Sequence, residues 1–252
     1  MRTFVLGDLH GCYRGLKQVL ERCKINKEED RLIFLGDICD GWPDVYECVE
    51  ELLTIPNRID ILGNHDEWFL RWILSGYHSD GWRQGGKATA LSYCKRVPEE
   101  NMHLNRAGGF MEFLLPQDIP FAHRRFFEQM QLYYVENGRC FVHGGFDRLL
   151  TMEQNEHNHE YMFYWDRDLW EKALCCKGLD RLKTADDFTE IFIGHTTCQR
   201  IDEMRPVCAG GVWNLDTGGG WNGKLTIMDL DTKEYWQSDV VTELYPEVPG
   251  RK

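Results

Sequence analysis

Thr3-Phe4-Val5-Leu6-Gly7-Asp8-Leu9-His10-Gly11 opens the chain with a short strand-forming run that ends in a glycine and an Asp/His turn. The same order recurs at Leu32-Ile33-Phe34-Leu35-Gly36-Asp37-Ile38-Cys39-Asp40 and at Ile59-Asp60-Ile61-Leu62-Gly63-Asn64-His65-Asp66. Apolar runs of this length bounded by glycine signal strands. Between them, Leu16, Val19 and Leu20 stand at helical spacing within 13–22, and Pro43 suits the first turn of a helix reaching Leu53. Strand–helix–strand–helix–strand implies a parallel sheet with right-handed crossovers. Ligands of such sheets bind beyond the carboxyl ends of the strands, so the three polar clusters are expected along one edge.

Downstream, 67–130 is expected to be a mostly helical, cap-like insertion, broken at Gly85-Gly86 and by a loop from Pro116 to Pro120. Strand patterns return at 132–135, 140–142, 190–193, 212–215 and 225–230, and are expected to form a second, mixed or antiparallel sheet. The polar stretch 153–160 is expected to be a loop. No repeat or low-complexity linker interrupts the pattern, so 1–245 is taken as one domain and 246–252, with two prolines, as a flexible tail.

Composition narrows the function. The chain has 252 residues, 42% of them hydrophobic and 28% charged, as in a soluble globular protein. A net charge of −12 argues against a non-specific nucleic-acid binder and against an anionic membrane surface as partner. It does not exclude a phosphate substrate, because bound cations can reverse the field at a site. The ten cysteines are scattered without a C-x-x-C pair, and the first motif begins at Gly7, so an export signal is not expected. A cytoplasmic setting follows as an expectation.

Two further clusters, Val142-His143-Gly144-Gly145 and Gly194-His195-Thr196-Thr197, complete a set of five. Carboxylates and imidazoles at strand ends can converge on metal ions, and flanking glycines let the backbone approach closely. Two divalent ions ~3.5–4 Å apart can share a carboxylate and lower the pKa of a bridging water. Oxygen and nitrogen ligands together suit Mn, Fe or Zn better than Ca or Mg.

The ordered set resembles the signature of the calcineurin-like metallophosphoesterase superfamily, and most closely its serine/threonine phosphoprotein phosphatase branch of bacterial and phage type, written GD-x-H-G, GD-x-x-D-R-G and G-N-H-E. Trp82 with Gly85-Gly86, Trp165-Asp166-Arg167 and Leu215-Asp216-Thr217-Gly218-Gly219 add local matches. The resemblance implies an α/β fold of two packed mixed sheets flanked by helices. It implies that Asp8, His10 and Asp37 bind one metal. Asp37 would bridge to a second, held also by Asn64, His143 and His195. Two divalent ions follow, Mn²⁺ foremost, with the bridging water as nucleophile. His65 would be the general acid, oriented by Asp40. Arg167 and Asn64 would hold the phosphoryl oxygens.

Two departures stand out. Gly41 and Trp42 occupy the place of the branch's Arg-Gly, so one phosphate clamp is missing; Arg83 or Arg71 are candidate replacements. Asp66 stands where the branch has Glu, a position that is structural in the family. His78, His103 and His123 are read as surface or core histidines, His157 and His159 as part of the solvated loop, and Cys12 and Cys39 as packing residues. The expected activity is metal-dependent hydrolysis of phosphate monoesters of the phosphoserine/phosphothreonine type, in a phosphoprotein or a small ester. A dinucleoside polyphosphate hydrolase, of the diadenosine tetraphosphate type, is the alternative that the missing arginine favours. A catalytically silent scaffold on the same fold is the alternative of another class, and the complete ligand set argues against it.

Overall fold

The computed structural model describes residues 1–96, 114–176 and 180–248. His103 and residues 249–252 of the expected tail lie outside them. The first sheet carries the strands that the opening motif announces: β1 (Thr3–Leu6), β2 (Arg31–Phe34) and β3 (Arg58–Asp60), parallel and adjacent in that order. Two crossover helices join them, α1 (Tyr13–Cys23) and α2 (Val45–Leu53). The second sheet contains β4 (Tyr133–Glu136), β5 (Arg139–Val142), β6 (Glu190–Ile193), β7 (Val207–Ala209) and β8 (Val212–Asn214), ordered β4-β5-β6-β8-β7. In it β5, β6 and β8 run parallel, with an antiparallel strand at either edge.

The two-residue alternation of side chains makes the layers. Phe4, Leu6, Leu32 and Phe34 point into a core shared with α1 and α2. Val5 and Ile33 point the other way and meet Phe141 and Phe192 of the second sheet, whose rings stack at 5.0 Å. On the far side, Cys140, Val142, Ile191 and Ile193 pack against a layer that includes Phe163, Leu169 and Trp170. The result is helices, sheet, sheet, helices. An ion pair also crosses between the sheets, from Arg31 at the start of β2 to both carboxylate oxygens of Glu136 at the end of β4, one of them at 2.9 Å.

Two expectations change. The run 225–230 is not in the second sheet: β9 (Thr226–Asp229) pairs antiparallel with β1 and carries β10 (Tyr235–Gln237) on its outer edge. Ile227 joins the helix-side core and Met228 the inter-sheet core, and an alternating pattern alone does not say which sheet the strand completes. The stretch 153–160 is not a loop but α6 (Met152–His159). A capping box begins it: the Thr151 hydroxyl accepts from Gln154 N–H at 3.3 Å, and the Gln154 side chain accepts from Thr151 N–H at 2.9 Å. Two satisfied donors outweigh the weak helix propensity of a polar run.

Between the sheets in sequence lie α3 (Asn64–Ser75), α4 (Gly86–Cys94) and α5 (Phe121–Glu128). Their Phe69, Trp72, Tyr93, Phe126 and Phe127 share the apolar core of α1 and α2. The remaining helices are α7 (Met162–Trp165) and α8 (Asp168–Leu174), beside the second sheet, and α9 (Val241–Leu244). Among the described residues, no helix is long and apolar enough to cross a membrane.

Candidate metal centre

Three parallel strands in each sheet end near one cleft, which residues after them line. Asp8 follows β1, Asp37 follows β2 and Asn64 follows β3; His143 follows β5, His195 follows β6 and Asp216 follows β8. The turns are tight. His10, Asp37, Asp40 and His195 all have positive φ, between 48° and 66°. Left-handed backbone at non-glycine residues is uncommon and costly, and it clusters at functional sites. Close approach is arranged by glycine: a Cβ on Gly63 would sit 2.2 Å from Asp37 Oδ1, and one on Gly194 would sit 2.1 Å from Asp8 Oδ1.

The side chains converge in two groups of potential metal ligands, His10–Asp37–His65 and Asp37–His143–His195, all buried. Asp37 is common to both. Asp8 stands beside them, 3.9 Å from His10 Nε2, and accepts from His195 N–H at 3.2 Å. Backbone carbonyls fix the imidazole tautomers. His10 Nδ1 lies 2.8 Å from Asp40 O, and His143 Nδ1 lies 2.8 Å from Leu35 O. With Nδ1–H donated there, each Nε2 presents a lone pair.

Those lone pairs face acceptors. His143 Nε2 is 3.3 Å from Asn64 Oδ1 and 3.3 Å from Asp37 Oδ2. Such convergence demands a positive charge at its centre. Left to protein groups alone, a proton serves: burial alone would lower His143, but Asp37, with Asp8, outweighs it and holds the imidazole up at about 10. In turn, His143, His65 and His10 overcome burial and keep the Asp37 carboxyl well below the usual range. Burial, then Asp216, push Asp8 well up, and burial pushes Asp216 up to about 6. His195 is held neutral by burial and by the charges of His143 and Arg167, and its Nε2 is buried without a hydrogen-bond partner. Crowded carboxylates and an orphaned imidazole nitrogen fit divalent cations with mixed oxygen and nitrogen ligands.

The structure also sorts the remaining candidates, with His65, itself a member of the first group, among them. His65 Nδ1 lies 2.7 Å from Asp40 Oδ2. The second oxygen of Asp40 accepts from Trp82 Nε1 at 3.0 Å and from the Thr89 hydroxyl at 2.6 Å. Asp66 accepts four backbone N–H groups, from Asp37, Ile38, Cys39 and Gly63, at 2.7 to 3.2 Å. The shorter carboxylate thus holds the second turn. Arg167 lines the cleft and donates to His195 O and the Thr196 hydroxyl, at 3.1 and 2.9 Å. Arg83 does not reach the cleft: its side chain is 76% exposed and pairs with Asp80, one turn back, at 3.4 Å. Arg71 pairs with Glu67 on the surface of α3. At position 41 the backbone has φ +129°, where only glycine is comfortable, so that place is closed to an arginine as the turn is built.

A cleft of about 390 Å³ opens over the groups and adds residues that sequence reasoning gave no role: Gln84, Thr197, Arg200, Asp216, Trp165 and Trp221. Arg200 is near enough to depress Arg167, second only to burial. The motif Leu215-Asp216-Thr217 was the available signal for Asp216, which follows an apolar run as the other five strand-end residues do. Nothing in spacing marks Arg200. His123 is buried between Tyr93 and Glu50, 2.9 and 2.6 Å away, and is a core residue.

Residues 1–199 match the family model described as calcineurin-like phosphoesterase. A symmetrical bis(5'-nucleosyl)-tetraphosphatase of Pseudomonas entomophila is 40% identical over 98% of this chain and 96% of its own length. The protein of that name from Coxiella burnetii is 37% identical over 27% of this chain, a match that spans 23% of that protein. A solved metallophosphoesterase from Sphaerobacter thermophilus superposes with a TM-score of 0.56 over 98% of this chain and 94% of that one, at 15% identity, a likeness of fold.

Proposed function

The chain belongs to the calcineurin-like phosphoesterase family, and from that premise we propose that it hydrolyses dinucleoside polyphosphates, splitting a phosphoric anhydride with water. The observation that carries the reading is the cleft itself. It places two guanidinium groups and two indoles around the converging Asp/His groups, a lining suited to a polyphosphate with aromatic ends. The name carried by the relative of 40% identity points the same way.

In this reading Asp8, His10 and Asp37 hold one divalent ion, and Asp37, Asn64, His143 and His195 hold a second; the donor set favours Mn²⁺, with Fe or Zn as alternatives. Bound there, the ions supply positive charge to the phosphoryl oxygens and ease deprotonation of water. Arg167 and Arg200 orient the phosphate chain, so Arg200 takes the part left open at Gly41. His65, with Nδ1 committed to Asp40, delivers its proton through Nε2 to the leaving oxygen. For a dinucleoside tetraphosphate the balance is one water consumed and two nucleoside diphosphates released. One P–O bond forms from water and one bridging P–O bond breaks. The ten cysteines all stand as free thiols, which supports a reducing, cytoplasmic setting.

The buried His65–Asp40 pair favours a second reading, a phosphomonoesterase of the serine/threonine type, because an alkoxide leaving group needs a general acid more than a diphosphate does. Metal-stripped protein supplied with Mn²⁺ and given diadenosine tetraphosphate beside a phosphoserine peptide separates the two. Release of ADP at the higher kcat/KM is expected. Phosphate release from the peptide with no ADP formed would overturn the first reading in favour of the second.

A further inference from the structure

Two indoles stand at the rim of a cleft whose other lining is mostly charged or polar. Trp165 is 37% exposed and Trp221 41% exposed. Each is tied to a different ligand group. The Trp165 ring meets the His195 ring edge-on, 5.7 Å away at 90°, and is backed by Trp68 at 5.4 Å. Trp221 follows Gly220, which packs against His10 so closely that a Cβ there would sit 2.3 Å from the imidazole. A turn fixes it, with Trp221 N–H donating to Gly218 O at 2.9 Å. His195 belongs to one group and His10 to the other, with Asp37 between.

The cleft holds about 390 Å³, near the small end of the roughly 300–1,000 Å³ of small-molecule sites. It can enclose a few phosphates but not two nucleosides as well. A ligand with a nucleoside at each end of a polyphosphate therefore leaves its bases at the rim, where the indoles are. An aromatic face accepts any base by stacking, with Arg167 and Arg200 nearby for the phosphates.

We infer that Trp165 and Trp221 are paired stacking platforms, one beside each ligand group, that select a substrate carrying a nucleobase on both sides of the cleaved anhydride. This rests on the dinucleotide reading and assigns its specificity to two residues. Because stacking is tolerant of base identity, diadenosine and diguanosine tetraphosphates are turned over at similar kcat/KM.

The test is the ratio of kcat/KM on diadenosine tetraphosphate to that on p-nitrophenyl phosphate, measured with Mn²⁺ for the natural protein, Trp221→Ala, Trp221→Phe and Trp165→Phe. Trp221→Ala is expected to lower the ratio about tenfold or more, the loss of one stacked base. Trp221→Phe and Trp165→Phe, which keep an aromatic face, are expected to retain most of it. An Ala variant that lowers both substrates equally, leaving the ratio unchanged, overturns the platform while leaving the dinucleotide reading intact. Turnover of p-nitrophenyl phosphate by the natural protein with none of diadenosine tetraphosphate overturns both.

Discussion

His65 Nδ1 and Asp40 Oδ2 lie 2.7 Å apart, and the other oxygen of that carboxylate is fully engaged by Trp82 and Thr89. The imidazole is therefore steered by a carboxylate that cannot rotate without breaking two hydrogen bonds.

His65→Gln should slow hydrolysis of an alkyl phosphate by ~10²–10⁴-fold, the usual worth of a general acid. It should slow p-nitrophenyl phosphate much less, because that leaving group departs without a proton. Steady-state rates across a series of leaving groups check this; equal losses throughout would mean that His65 holds a metal instead.

Thr89→Val removes a donor from a buried carboxylate, at a cost of about 1–3 kcal/mol in local interaction. Its effect should fall on kcat, on the order of tenfold, with KM little changed and Thr89→Ser restoring the rate. A matching rise in KM would point to a disturbed cleft rather than a mispositioned acid.

Addition of Mn²⁺ to metal-stripped protein should raise the thermal midpoint, since a ligand that binds only the folded state stabilises it. Asp37→Asn should abolish most of that rise, because Asp37 belongs to both groups. Gly63→Ala should do likewise, because its methyl would displace Asp37 Oδ1. Differential scanning fluorimetry reads the shift without recourse to activity.

Arg167→Ala should lower kcat/KM by about 10²-fold, as for other lost donors to a developing charge. Arg200→Ala should also lower it, and Arg83→Ala should change it less than about twofold, in keeping with a side chain that is 76% exposed and paired to Asp80. Kinetics on a single substrate suffice to rank the three.

The Arg31–Glu136 pair gives a pH signature away from the centre. Bonding to Arg31 holds the Glu136 carboxyl down at about 2 against an ordinary 4.5. A depressed carboxyl stabilises the fold above its unfolded value, so the contribution is intact above pH 4.5 and is lost as pH falls toward 2. The pair is partly exposed, so the loss is modest, about 1 kcal/mol or less. Urea unfolding at pH 7 and pH 3.5 should show a smaller acid penalty for Glu136→Gln than for the natural protein.

Much of this was legible before the structure. The clusters that hold Asp8, His10, Asp37, Asn64, His143 and His195 stand out because each follows an apolar run beside a glycine, a local pattern that survives in sequence; their division between two metals comes from the resemblance to the phosphoesterase signature. The tertiary partners of those residues were not legible. Thr89 meets Asp40 because α4 packs beside α2, Trp82 because the turn 80–83 that precedes α4 folds back onto it, and Arg200 meets Arg167 across a cleft, none of which has a sequence period. Strand β9 lies in the first sheet and not the second for the same reason: alternation fixes which side of a strand is buried, not which neighbour buries it. Helix α6 is masked by its polar composition, although Thr151 and Gln154 mark its start.

The two sheets contribute unequal halves of one chemistry. Asp8, His10, Asp37, Asn64 and His65 come with the first, and His143, His195, Arg167 and Asp216 with the second. The centre is therefore a seam, and any ion held there acts as a rivet between two plates. Its departure would leave the docking of one sheet on the other to the apolar contact of Val5 and Ile33 with Phe141 and Phe192 and to the Arg31–Glu136 pair. On the proposed reading, catalytic competence would double as a gauge of whether the two plates are closed.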